Sequence, residues 1–307
     1  MTKDKLLELY NKFKEEKLDT SAIRLLRNCT DKDIDYILNS FYPEAMMSIV
    51  TNHTFKLLTI EEQKELSKIV NDANTEKIAL EISRVVGSGI ILSSGLTTKI
   101  ARIINESTTK VVSYVADASL ASSILINPNS LEILKIIASS KKPIQAKTCL
   151  EISKNLDVLS NKNVVEIIRI TSQIERESQS ELFISLAKNK DVLSSNLTIK
   201  LMLLSSKLDD EQIKLLNTIA SDKLLEKNKR SLHYIVRMLE APHKIPSIHE
   251  QAKTEISLFK QKESTIKRDN DLFWNVYKNN PSEAVELLNE TNEQVVTSLT
   301  KVKKKEK

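Results

Sequence analysis

The segment Lys154-Asn155-Leu156-Asp157-Val158-Leu159-Ser160 returns thirty-four residues later as Lys188-Asn189-Lys190-Asp191-Val192-Leu193-Ser194. An equivalent leucine stands at Leu58, Leu92, Leu125, Leu159, Leu193 and Leu225, in steps of 34, 33, 34, 34 and 32 residues. A fixed period of this size leaves few folds open, because it marks helical units that each bury an apolar face against the next.

Two further columns keep the same register. Eight residues after the anchors come Leu66, Ile100, Ile133, Ile167, Leu201 and His233, and eleven after them come Ile69, Ile103, Ile136, Ile170, Leu204 and Val236. A separation of three puts both columns on one helix face, which defines a first helix in each unit. Ten residues before the anchors stand Ser48, Ile82, Val115, Cys149, Phe183 and Leu215, the apolar column of a second helix that only Ser48 interrupts. Helix starts fall in phase: Thr30-Asp31-Lys32-Asp33 reads as an N-cap with acids in the first turn, Pro43 opens a helix, and Thr59-Ile60-Glu61-Glu62 is a capping box. Asn127-Pro128 and Ser160-Asn161 hold the corresponding junctions.

The chain is therefore read as all-α, an α-solenoid of about six to seven stacked helical hairpins with a period of 32–34 residues, plus C-terminal capping helices. Three glycines in 307 residues and 4% aromatics favour helices over strands. Residues 1–240 form the repeat domain, with a capping helix over 2–17 and a hairpin starting at Thr20. A boundary falls at Glu240 to Glu250, where Pro242 and Pro246 forbid an ordinary helix. Residues 241–300 form a helical cap bearing Leu272, Phe273, Trp274, Val276 and Tyr277, and residues 301–307 a disordered tail.

That tail holds five lysines and one glutamate, so of a formal charge of +5 the other 300 residues carry only about +1. A near-neutral body argues against wholesale attraction to nucleic acid. Cys29 and Cys149 cannot support a disulfide framework, which suits a reducing cytosol. The N-terminus lacks the apolar core of a signal peptide, and no run approaches the roughly 20 apolar residues of a membrane helix. The expected location is cytoplasmic; the Lys, Asn and Ile bias fits an AT-rich coding source, and if that source is viral or phage-like the compartment is the host cytoplasm.

Candidate sites are few. Lys68, Arg102, Lys135 and Arg169 stand ten residues after successive anchors, one basic side chain per unit, before the column turns to Leu203 and Ile235. On helices about 8–10 Å apart they form a ladder suited to an acidic peptide or a nucleic-acid backbone. Glu65, Glu132 and Glu166 precede three of these bases by three residues, so local ion pairs are the competing explanation. Trp274 and Tyr277 close the stack or dock a partner. Gly87-Ser88-Gly89 could cradle a phosphate, but the third glycine, preceding strand and downstream acid of a dinucleotide site are missing; the alternative is a helix end or a close helix approach. His243 and His249 with Glu250 lack further metal ligands, His233 reads as a core histidine and His53 is isolated, so no metal is expected. Neither a nucleophile elbow, a phosphate loop nor a cysteine-histidine signature occurs, so no catalytic residue and no cofactor is expected.

The units from Leu58 through Leu239 resemble an α-solenoid of the HEAT or armadillo kind in architecture alone. They are shorter than typical for those families and near the tetratricopeptide length, yet lack the tetratricopeptide Trp, Leu-Gly, Tyr and Pro pattern and the ankyrin Thr-Pro-Leu-His signature. The resemblance implies an extended surface for macromolecules. Two functions follow: a scaffold or adaptor holding a protein or peptide, or a nucleic-acid-binding solenoid using the ladder and the tail. Self-association through Leu203 and Ile235 stays open.

Overall fold

The computed structural model describes residues 2–193, 197–221 and 236, and every regular element among them is helical. The chain divides into two compact units, residues 1–159 and 160–307.

In the first unit α1 (Lys3–Glu15) precedes a 3-10 helix, Thr20–Asn28. Four pairs follow: α2 (Asp31–Leu38) with α3 (Pro43–Val50), α4 (Ile60–Asn71) with α5 (Glu76–Val86), α6 (Thr97–Asn105) with α7 (Val112–Ser119), and α8 (Ser130–Ala138) with α9 (Pro143–Ser153). Each pair is followed by a short helical stretch: His53–Leu57, Gly89–Ser94, Ser122–Leu125 and Leu156–Leu159. The helices meet in rows. First helices α4, α6 and α8 contact one another in succession, and so do second helices α3, α5, α7 and α9.

The second unit continues the element order with α10 (Val164–Thr171), α11 (Glu177–Lys188), the short stretch Lys190–Leu193, α12 (Leu197–Leu204) and α13 (Asp210–Ser221). Within it α10 packs on α12 and α11 on α13.

Two departures from the sequence reading have local causes. The period contains a third, short helical stretch, in or beside which the recurring leucine sits: Leu125, Leu159 and Leu193 are inside theirs and buried, Leu92 is half-buried, and buried Leu58 follows its stretch. The hairpin expected from Thr20 is instead a 3-10 helix, and the helix pair begins at Asp31. Its residues obey a period of three, as 3-10 geometry requires: Ile23, Leu26 and Cys29 are buried on one ridge, while Arg24 and Arg27 are exposed on the next.

The column eight residues after the anchor is the innermost. Leu66, Ile100, Ile133, Ile167 and Leu201 are all sealed from solvent, and each such side chain contributes about 1.5–3 kcal/mol by burial. The column at plus eleven is buried except for half-buried Ile136. On the second helices Ile82, Val115, Cys149 and Phe183 are buried and Ser48 is exposed. Cys29 and Cys149 are buried thiols, and burial pushes both up from their ordinary values.

Helix starts follow the capping residues. Thr30 with Asp33 and Thr59 with Glu62 both close full capping boxes, and Pro43 is the first residue of α3. Gln145 and Gln179, thirty-four apart, each reach back with Oε1 to accept two backbone N–H groups ahead of α9 and α11.

Hydrogen bonds about one period long tie successive pairs together. Asn127 Nδ2 donates to the Leu159 carbonyl at 2.8 Å and Asn161 Nδ2 to that of Leu193 at 2.7 Å. Tyr42 Oη donates to the Ala73 carbonyl at 2.6 Å, and Arg84 meets Asp117 at 2.9 Å. In the second unit Arg176 meets Asp210 at 3.1 Å.

The glycine segment serves such packing. The Gly87 carbonyl accepts Asn52 Nδ2 at 3.0 Å, and a Cβ at Gly87 would lie 2.7 Å from that nitrogen. Gly95 ends its helical stretch at φ +65°, in open space. Gly95→Ala is expected to cost about 1–2 kcal/mol from backbone conformation alone, read as a lower urea midpoint. Among the described residues no helix is long and apolar enough to cross a membrane.

Candidate partner-binding surface

The rule that builds the core also exposes the basic row. On a helix, position plus ten lies some 200° round from position plus eight, so burying Leu66, Ile100 and Ile133 turns Lys68, Arg102 and Lys135 outward. All three are exposed, on α4, α6 and α8. Because these helices contact one another in succession, the three bases share one face of the first unit. Arg169, on α10 of the second unit, is exposed as well.

The expected local ion pairs form at one of three places. Arg169 Nη1 lies 2.9 Å from Glu166 Oε2, as the spacing of three predicts. Glu65 instead binds the Arg102 guanidinium, bridging α4 to α6. An arginine fork makes a stronger carboxylate hydrogen bond than a lysine held along the same helix, so Glu65 serves the neighbouring helix and leaves Lys68. Glu132 does not pair with Lys135. Among the described residues Lys68 and Lys135 have no ion-pair partner.

The row borders two shallow grooves. One, of about 220 Å³ between α4 and α6, is walled by Lys68, Arg102 and Asn105 together with the acids Glu65, Asp72 and Glu106. The Asn105 Oδ1 in its wall is buried without a hydrogen-bond donor. The second, of about 580 Å³ at the first turn of α8, is lined by Leu96, Pro128, Glu132 and Lys135 among others. Bases, acids and apolar edges therefore share this face. Such a mixture can engage a polypeptide through charge pairs and backbone hydrogen bonds, whereas the interleaved carboxylates would repel successive phosphates.

The remaining sequence candidates stand as follows. Trp274, Tyr277, His233, His243, His249, the boundary at Glu240 to Glu250 and the lysine tail lie outside the described residues. His53 is exposed at the start of its short helical stretch, and no group of three or more metal-ligating side chains occurs among the described residues. Leu203 on α12 is half exposed, and Ile235 lies outside the described residues. Sequence reasoning missed the Glu65 to Arg102 bridge, whose spacing of 37 residues is one period plus three. It also missed a groove beside α1 lined by Leu6, Leu7 and Tyr10 among others. Neither a family model nor a curated protein nor a solved structure matches this chain.

Proposed function

We propose that this chain is an α-solenoid, HEAT- or armadillo-like in architecture, acting as a non-catalytic cytoplasmic scaffold or adaptor that holds a protein or peptide on the outer face of its first helices. The observation that carries this reading is the succession α4, α6, α8, each presenting one outward base at the edge of a groove whose walls also carry acids. A chain assembled from repeated units offers a surface that grows with each unit, and recognition by several modest contacts suits it. The unpaired Lys68 and Lys135 favour a second reading, in which these ammonium groups and the lysine tail bind nucleic-acid phosphates.

Salt and charge reversal separate the two. Capture from the source cell by the full chain, read by mass spectrometry for protein and by absorbance for nucleic acid, is expected to retain a stoichiometric protein at moderate salt. Lys68→Glu with Lys135→Glu is expected to weaken that capture about tenfold, since both reversals place like charge on an acidic partner. Undiminished capture by the double variant would remove this face from the account. Nucleic acid held at low salt, released at moderate salt and lost in the variant would replace the first reading with the second.

A further inference from the structure

The first unit carries another recessed surface, formed where α1 runs beside the 3-10 helix Thr20–Asn28. It is a groove of about 480 Å³. Its floor is apolar: Ile23 is buried, Leu6 half-buried, and Leu7 and Tyr10 are 60% and 44% exposed. A leucine and a tyrosine left this open on one wall are surplus to the core of the unit, because Leu9 and Phe13, on the adjoining face of α1, are the buried side chains of that helix.

The rim has one sign. Lys3 on α1 and Arg24 and Arg27 on the 3-10 helix border the groove, and among the described residues no acidic side chain lines it. None of these three cations has an ion-pair partner among the described residues. This differs from the grooves of the basic row, where Glu65 holds Arg102 and further acids line the walls. The acids of α1 are spent elsewhere or point away: Glu8 pairs with Lys5, which also binds Asp35 on α2.

We infer that this groove docks a short amphipathic helix of a partner protein, with apolar side chains entering over Ile23 and acidic residues meeting Lys3, Arg24 and Arg27. The shape selects a helix. Both walls are helical, α1 spans 13 residues or about 20 Å, and an occupant of about three turns would seat anchors at i, i+3 or i+4, and i+7 along it. Charge selects its flank, because three unpaired cations around an apolar floor favour acidic residues and disfavour basic ones. A flat anionic membrane would reach Leu7 on the wall but not the recessed Ile23. The groove shares no residue with the basic row, so it stands or falls separately from that surface.

A display library of helical peptides about three turns long, selected on the full chain, tests the inference. Selected peptides are expected to combine Leu, Phe or Met at helical spacing with Asp or Glu flanks. They are expected to bind Arg24→Glu with Arg27→Glu at least tenfold more weakly, with a similar loss in Leu7→Asp. All three positions are exposed, so unchanged circular dichroism is expected and would separate lost binding from lost folding. Lys68→Glu with Lys135→Glu should leave peptide affinity unchanged, which keeps this result distinct from the fate of the basic row. No enrichment of acidic amphipathic sequences, or full affinity in the Arg24 and Arg27 variant, would overturn the proposal. Phosphatidylserine vesicles run in parallel supply the other source of anionic and apolar chemistry: vesicle binding that depends on Arg24 and Arg27 without peptide enrichment would assign the groove to a membrane instead.

Discussion

Ile133→Ala is expected to destabilise the protein by about 2–5 kcal/mol, the cost of removing a sealed aliphatic side chain whose surroundings cannot close over the gap. Ile133 is fully buried on α8, which packs against α6 on one side and against α7 and α9 on another. A cavity there would loosen contacts to three helices at once. Leu66 and Ile100 hold the same place on α4 and α6 and should behave alike. Ile126, one residue after the neighbouring anchor but 80% exposed, is the control: Ile126→Ala should change stability by less than about 0.5 kcal/mol. Equilibrium urea unfolding gives both numbers. A loss below about 1 kcal/mol for Ile133→Ala would mean that the plus-eight column is not the core.

Asn161→Ala is expected to cost about 2 kcal/mol, because one amide holds two backbone groups. Its Nδ2 donates to the Leu193 carbonyl at 2.7 Å, and its Oδ1 accepts the Asn163 N–H at 2.8 Å just ahead of α10. Asn127 repeats the arrangement in the first unit, donating to Leu159 and accepting from Asn129 at 2.9 Å. Asn161→Asp separates the two bonds. A carboxylate can still accept from Asn163, but it cannot donate to Leu193 and sets a negative charge against that carbonyl. The aspartate variant should therefore lose at least as much stability as the alanine variant, and wild-type stability in Asn161→Asp would show that the bond across the period contributes nothing.

How much of this could be read from the sequence differs with the range of the interaction. The plus-eight column was legible because a buried position must be aliphatic in every unit, so Leu66, Ile100 and Ile133 announce themselves by recurrence. The capping boxes at Thr30 and Thr59 were legible because both partners lie within three residues. The asparagines at 127 and 161 stood out as junction residues, but their targets are backbone carbonyls, which carry no sequence signal. Glu65 looked like a partner for Lys68 because local spacing takes no account of the next helix, where Arg102 offers a better donor. The 3-10 helix was misread since Ile23, Leu26 and Cys29 also fit one face of a hairpin helix, and only their strict spacing of three distinguishes it. The basic row and the neighbouring Glu65 and Glu132 were legible, while the groove that brings Asp72 and Glu106 beside Lys68 and Arg102 emerges only in three dimensions.

The most direct measurement is lysine acylation footprinting of the full chain, alone and with the protein it captures at moderate salt. Lys68 and Lys135 are exposed on the first helices, and Lys147 is exposed on second helix α9. The account predicts that all three react in the free chain, and that the partner shields Lys68 and Lys135 while Lys147 stays reactive. Unchanged reactivity at Lys68 and Lys135 in the complex, or shielding confined to Lys147, would contradict it.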